Sequence, residues 1–432
     1  MQAFDRGDAG ARPALAALKD ELKAYARSLG VVRLGVTGAE PFESLRTILR
    51  QRQRTGLMSP FEEADIDLRC EPQRVLPGAR ALISIAVSYH VRSPFPAPPP
   101  QTARTAYRRR GLRRHRRKPP LRPPWRGWIS RHAWGRDYHR TVRDKLDAIA
   151  AWLTERYPGS SSRPFVDTGP LVDRAVAERA GVGWIGRNCS LIVPGAGSWV
   201  VLGTLVTTVP LPPDPPAAPP GSECGDCDLC LRACPTGALF ESHRLNPHRC
   251  LSYITQMRGA IPPEFREALG SRIYGCDTCQ AVCPKNRDLP ELGDPGFVPA
   301  AGWEVAPELL ELLRLGKKAF RMRYGDKAAG WRGKTTLQRN AVIALGNTRH
   351  PGALPQLAKL LYDDVRPVIR GAAAWAIGRI GGDEAVRLLR QALEREQDAE
   401  VVAEIRRGLD LAQGVAAEQE EAMPPATTAA PS

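Results

Sequence analysis

The stretch Cys224-Gly225-Asp226-Cys227-Asp228-Leu229-Cys230-Leu231-Arg232-Ala233-Cys234-Pro235 decides most of what this chain can be. Three thiols at two-residue gaps, then a fourth followed by proline, form the spacing that wraps a [4Fe–4S] cubane corner by corner. The proline turns Cys234 away, toward a second cluster. A further run, Cys276, Cys279 and Cys283-Pro284, lacks a nearby extra cysteine, and Cys250 can supply it. The assignment then closes. Cys224, Cys227, Cys230 and Cys283 form one cubane; Cys234, Cys250, Cys276 and Cys279 form the other. Structural zinc is the alternative, but it needs only Cys-x2-Cys pairs. It leaves the three thiols in a row and the two Cys-Pro pairs unexplained. The chain therefore reads as a redox protein. Cys70 and Cys189 remain, and read as small buried hydrophobes.

Outward from this region the chain has 432 residues, enough for two or three domains. Lys and Arg outnumber Asp and Glu by 62 to 46, a formal net charge of +16. Such a balance suits a polyanionic partner, or reflects a host that prefers arginine. The N-terminal MQAFDRGDAG has no apolar run after a basic stretch, so no signal peptide is expected. Ala81–Ser88 and Trp199–Val206 are too short to span a bilayer. A cytoplasmic monomer that touches no membrane is the expectation, and in that compartment thiols favour metal over disulfides.

The pattern along the chain predicts an α+β fold with five parts. Residues 1–210 alternate apolar strands and amphipathic helices, with helices over 14–29 and 141–153 and strands over 31–37, 81–88, 191–193 and 199–209. Within them, 96–127 is rich in Pro and Arg, and no acid occurs from Pro72 to Arg136. That loop is either a plain linker or a phosphate-binding arm. A proline-rich entry, Leu211–Gly221, opens a ferredoxin-like domain over 211–295. A helical connector spans 296–335. Arg339–Gly346 and Gly371–Gly378 recur with a period of about 32 residues, predicting helix-pair repeats over 336–414. So few repeats need a docking partner in the rest of the chain. Residues 415–432 read as a disordered tail.

The run Val166-Asp167-Thr168-Gly169-Pro170-Leu171-Val172-Asp173-Arg174 leads through a helix to Gly181-Val182-Gly183-Trp184-Ile185-Gly186-Arg187-Asn188. From spacing alone, Asp167 either caps that helix or carries chemistry. Taken with Leu76–Arg80, Ala133–His139, both cysteine motifs, Trp331–Lys334, Gln338–Asn340 and Arg370–Gly378, the run resembles the epoxyqueuosine reductase family over about residues 14 to 412.

The resemblance implies an N-terminal α/β domain that binds cobalamin, a domain holding two [4Fe–4S] clusters, and HEAT-like repeats. It implies reduction of epoxyqueuosine to queuosine at the tRNA wobble position, with electrons from a flavodoxin or ferredoxin. Asp167 falls where the family places its proton donor. Arg69, Ser130, Asp167, Leu191, Leu202 and Ser252 fall at positions of its cobalamin contacts; Ser130 departs from members with cysteine there. Burial beside the corrin is expected to raise the Asp167 pKa. Arg332, Lys334, Arg339 and Arg370 are candidate tRNA contacts, or internal helix-to-helix bonds in the case of Arg339 and Arg370. Two other readings share part of this equipment: a reductive-dehalogenase-like enzyme for a small molecule, and an electron-transfer module.

Overall fold

The structure, a computed structural model, describes residues 11–95, 125–217 and 224–420. Most of the Pro/Arg-rich loop 96–127, residues 218–221 of the linker and the tail from 421 lie outside the described residues. The chain divides into two compact units: Met1–Arg110 with Ser130–Cys250 and Asp277–Glu304, and Gly111–Ile129 with Leu251–Cys276 and Val305–Ser432. Each is assembled from segments distant in sequence.

The first unit grows from one strand. The described strands are β1 (Arg33–Gly38), β2 (Ala81–Ser88), β3 (Trp128–Ile129), β4 (Ser162–Phe165), β5 (Trp184–Ile185), β6 (Leu191–Ile192), β7 (Val200–Thr207), β8 (Leu239–Glu241), β9 (Arg244–Leu245) and β10 (Arg272–Tyr274). Every residue of β2 is buried, so this strand must be covered on both faces and both edges. The edges pair antiparallel with β1 (Gly35 opposite Ser84) and β7 (Ser84 opposite Thr204). β4 adds beyond β7, giving the order β1-β2-β7-β4.

One face carries Leu82 and Val206 against Phe42, Leu49, Cys70, Leu171 and Val176, and Ala86 against Ala177, Val182 and Leu191. The other is covered by the helix Tyr138–Arg156, which buries Val142, Leu146, Ile149 and Leu153 at helical spacing. A Cβ at Gly203 would stand 2.6 Å from Val142, so this helix lies close on the sheet. The helix Ala11–Ser28 packs outside it, stacking Tyr25 on Trp152 at 5.6 Å. An antiparallel sheet between helices is α+β, one of the two layered arrangements, α/β or α+β, that the alternation allowed. Cys70 is fully buried; Cys189 is only half-buried, on left-handed backbone with φ 63°.

In the second unit β3 and β10 form a short parallel ribbon. The repeats are the helices Lys334–Thr348, Leu354–Asp363, Pro367–Ile380, Asp383–Leu393 and Ala399–Glu420. The last helix continues to Glu420, into the stretch expected to be a disordered tail; a helix already begun extends at one hydrogen bond per residue. The small residues of the repeat let helix backbones approach. A Cβ at Gly346 would meet Ala376 Cα at 2.7 Å, and one at Gly378 would meet the Gly408 carbonyl oxygen at 2.2 Å.

The repeats dock on residues 251–276 of the same unit. Arg266 is 3% exposed and forks onto Glu404 at 2.6 and 2.8 Å. Arg339, 1% exposed, donates to the carbonyls of Ile254, Met257 and Gly259 and to Asn340 Oδ1. Asn340 Nδ2 donates to Thr255 and Ile273 carbonyls at 2.7 and 2.8 Å. A buried carbonyl without a donor is costly, and these side chains remove that cost for several at once.

Candidate active site

The site is built where β4 ends. The Thr168 N–H closes back on the Val166 carbonyl at 2.5 Å, making a three-residue turn with Asp167 at its centre. Asp167 has φ 55°, a region that L-residues occupy at a cost. Its N–H donates to Asp173 Oδ2 at 3.1 Å, and Asp173 Oδ1 accepts from Thr204 Oγ1 at 2.5 Å. Asp173 opens the helix Asp173–Arg179, so the turn is tied to both the helix and the sheet.

The side chain of Asp167 meets the first turn of the helix Tyr138–Arg156. Asp137 caps that helix by accepting the His139 N–H at 2.9 Å, which places Tyr138 and His139 at its mouth. Tyr138 donates its hydroxyl to Asp167 Oδ2 at 2.6 Å. His139 Nδ1 lies 2.8 Å from Asp137 Oδ1, and Nε2 lies 3.7 Å from Asp167 Oδ2. The Tyr138 and His139 rings stack at 4.0 Å. The result is a carboxylate–imidazole–carboxylate array with a phenol on its outer oxygen.

Asp167 itself is 65% exposed at the side chain, although protein surrounds it on one side. The protein's own groups around it act in the downward direction. His139 first, and the Tyr138 hydroxyl against the opposing effect of burial, hold the carboxyl below its ordinary value. Burial works against charge on His139, but Asp137 and then Asp167 outweigh it and push the imidazole up to about 9. Burial raises Asp173 to about 7, against its Thr204 hydrogen bond and with help from the Asp167 charge. At neutral pH the array holds its proton on His139, with Asp167 ionised.

Of the expected cofactor contacts, Arg69, Ser130 and Leu191 are buried in the first unit, and Leu202 is half-buried there. Ser252 belongs to the second unit, where its carbonyl accepts from Gln256 and Thr255. Ser130 Oγ donates to Asp277 and lies 2.9 Å from His132 Nδ1, so its hydroxyl already belongs to a protein network. Arg69 Nη1 is paired with Glu62 at 2.8 Å, while its Nε, with Trp184 Nε1 and Asn188 Nδ2, is buried without a hydrogen-bond partner. Orphaned buried donors are expensive unless a ligand supplies acceptors. A corrin, rimmed with amide carbonyls, is chemistry these donors fit.

Four of the thiols assigned to one cluster, Cys224, Cys227, Cys230 and Cys283, lie close enough to affect one another. Burial first, and then Cys283, push the Cys230 thiol up to about 11, while the Leu231 N–H opposes. Cys283 is raised by burial and next, among thiols, by Cys224 and Cys227, with the Lys285 and Asn286 amides opposing. All four belong to the first unit and act on one another. Yet no three His, Cys, Asp or Glu among the described residues converge as they would on one metal ion. Cys234, Cys250 and Cys279 are in the first unit, and Cys276 is the last residue of the second unit's middle segment. Thr236 and Arg249 exchange hydrogen bonds, latching the Cys234 loop to the residue before Cys250.

The candidate tRNA contacts divide. Arg339 is enclosed and Arg370 is forked onto Glu396 at 2.7 and 2.9 Å. Both are corrected to internal bonds: their guanidinium groups are committed to the protein. Arg332 and Lys334 are half-buried and nearer solvent. Arg332 donates to the Gln256 carbonyl at 2.7 Å and lies over the Trp331 ring, which is 51% exposed. Tyr138, His139, Asp137 and Asp173 had no role assigned from sequence. The signal was present in Asp137-Tyr138-His139, an acid capping a helix whose first residues are ionisable.

Three family models match the chain. Epoxyqueuosine reductase QueG matches residues 69–168, a 4Fe-4S double cluster binding domain matches 223–286, and HEAT repeats match 333–410. Epoxyqueuosine reductase of Bacillus cereus is 43% identical over 91% of this chain and 97% of that protein. A crystal structure of epoxyqueuosine reductase with a tRNA-Tyr epoxyqueuosine-modified stem loop superposes with a TM-score of 0.82 at 40% identity, covering 92% of this chain and 100% of that one. The Bacillus subtilis enzyme with its catalytic aspartate loop swung out of the active site matches with the same TM-score, 0.82, at 40% identity and 92% and 99% coverage.

Proposed function

Because the chain belongs to the epoxyqueuosine reductase family, we propose that its active-site array reduces epoxyqueuosine in tRNA to queuosine by supplying protons from Asp167 and His139. The protein is an oxidoreductase with cobalamin and two [4Fe–4S] clusters as cofactors. The array of Asp137, His139, Tyr138 and Asp167 is the observation that carries the proton chemistry.

The reaction converts an epoxide to an alkene and water, consuming two electrons and two protons. Arg69, Trp184 and Asn188, with Leu191 and Leu202, are the residues that would hold cobalamin, which when bound and reduced would supply a nucleophilic metal centre. The cluster cysteines would hold two [4Fe–4S] groups, whose chemistry is one-electron transfer. The chain's own part is the proton. The departing oxygen needs one, and an ionised Asp167 has none of its own. His139, protonated at neutral pH and 3.7 Å away, hands one to Asp167 Oδ2 as charge builds on the substrate. Tyr138 keeps that oxygen aimed. The swung-out loop of the Bacillus subtilis enzyme supports a turn that carries its carboxylate in and out.

A wobble base splayed from its loop is the reachable form of such a substrate. Arg332 and Lys334 remain the candidate contacts with the phosphates of the tRNA. We infer a cytoplasmic monomer that receives electrons from a flavodoxin or ferredoxin. Among the described residues no helix is long and apolar enough to cross a membrane. Membership in this family sets aside the small-molecule reductase and electron-transfer readings.

The test is anaerobic conversion of an epoxyqueuosine-containing tRNA stem loop by protein carrying iron and cobalamin, with nucleosides separated after digestion. Queuosine formation that falls with Asp167→Asn and His139→Gln is expected. Full turnover by both variants overturns the proton assignment.

A further inference from the structure

We propose that Asp173 is a positioning residue for this reaction: its carboxylate, tethered to Thr204, grips the Asp167 peptide N–H and so holds the left-handed turn that aims the Asp167 side chain. The proposal rests on the reading of Asp167 as the group that delivers the proton.

The geometry gives the reason. A residue at φ 55° inside a three-residue turn relaxes unless its surroundings fix it. Tyr138 fixes only the carboxyl end of Asp167. The backbone end is fixed by Asp173 Oδ2 at 3.1 Å, and Asp173 is itself fixed through Oδ1 by Thr204 on the central strand β7. The clamp therefore runs from the sheet, through one carboxylate, to the peptide of the reacting residue.

Asp173 is an unusual choice of clamp. The charged groups facing it are Asp167 on the turn and Arg174 on its own helix. The Arg174 guanidinium donates to the Cys189 carbonyl. Among the described residues the carboxylate has no ion-pair partner, and burial raises its titration to about 7. An ionised acceptor holds an N–H about twice as strongly as a neutral one. A neutral carboxyl still accepts through its carbonyl oxygen, so the turn is gripped in both states and more firmly in the charged one.

The clamp acts on the position of Asp167. Its loss should lower kcat and leave the KM for tRNA alone. Asp173→Ala removes the acceptor; Asp173→Asn keeps one through its amide oxygen. In iron- and cobalamin-loaded protein, Asp173→Ala is expected to lower kcat at least ~10-fold with KM within about twofold, and Asp173→Asn to stay within about threefold. Amide hydrogen exchange at Asp167 should quicken ~10-fold in the Ala variant and stay slow in the Asn variant.

Thr204→Val removes the tether alone and should quicken the same amide by a smaller factor, which serves if Asp173→Ala does not fold. Unchanged exchange at Asp167 in Thr204→Val and Asp173→Ala overturns the clamp. So do equal kcat losses in the Ala and Asn variants, or a loss confined to KM. If Asp167→Asn retains full activity, the proton reading has failed instead, and the exchange data still decide whether the clamp exists.

Discussion

Two polar regions of this protein obey opposite rules. Around Arg339 and Asn340, each donor finds a carbonyl or an amide oxygen, and nothing is exposed. Around Asp167, the carboxylate is open to solvent, its backbone is left-handed, and neighbouring groups titrate far from their ordinary values. Both regions look alike as sequence, being charged residues among apolar ones. The difference shows that a charge whose bonds are all made inside the fold stabilises it, while one left partly unmade is available for chemistry.

Breaking each region should produce opposite failures. Asp167→Asn is expected to lower kcat by ~10²–10⁴-fold while the melting temperature holds or rises. A collapse of stability there would place Asp167 with the structural group. Arg339→Leu should do the reverse. It strands the carbonyls of Ile254, Met257 and Gly259 and destabilises by ~3 kcal/mol or more, read by urea denaturation. Folded Arg339→Leu protein should bind tRNA with an unchanged dependence on salt; a weaker dependence would return Arg339 to the RNA surface.

Tyr138→Phe sharpens the comparison from inside the site. It removes one donor from Asp167 Oδ2 and is expected to lower kcat ~10-fold, with no matching change in tRNA affinity. Stability should carry a pH signature from the same region. His139 and Asp173 both have folded pKa values raised above their ordinary ones. Each contributes stability that is full below its ordinary pKa and is lost as pH rises, through about 7 for Asp173 and about 9 for His139. The melting temperature should therefore fall from pH 5 to pH 9 on their account, and Asp173→Asn should flatten the first part of that fall. The smallest expected effect is Arg332→Ala, which should weaken tRNA binding and reduce its salt slope by about one. Arg370→Gln should leave that slope alone.

What the sequence disclosed follows from how local each feature is. The double-cluster domain was legible because a cubane dictates the spacing of its first thiols within a dozen residues. Strand β2 was legible because a strand buried on both faces is mostly apolar, here Ala, Leu, Ile and Val with two serines. The repeat motif was legible because it recurs. The Asp137–His139–Asp167 array was not, because the helix mouth and the turn after β4 meet only through the packing of the helix Tyr138–Arg156 on the sheet. Asp167 illustrates the same limit in energy. Its position in a motif was readable, but the sign of its pKa shift depends on an imidazole and a phenol brought from elsewhere. Arg339 misled for a related reason. Composition marks an arginine as basic, and only three-dimensional neighbours show whether that charge faces water.

The close helix crossings at Gly346 and Gly378 have a consequence for how this chain can diversify. At each, a single methyl group would strike the backbone of the next repeat. A side chain added there demands matching changes on a facing helix, so point variation along this seam is blocked in both directions. Duplicating a whole repeat preserves every such crossing, because the new helix brings the same gap with it. The repeat domain can therefore lengthen more readily than its stacking seam can drift.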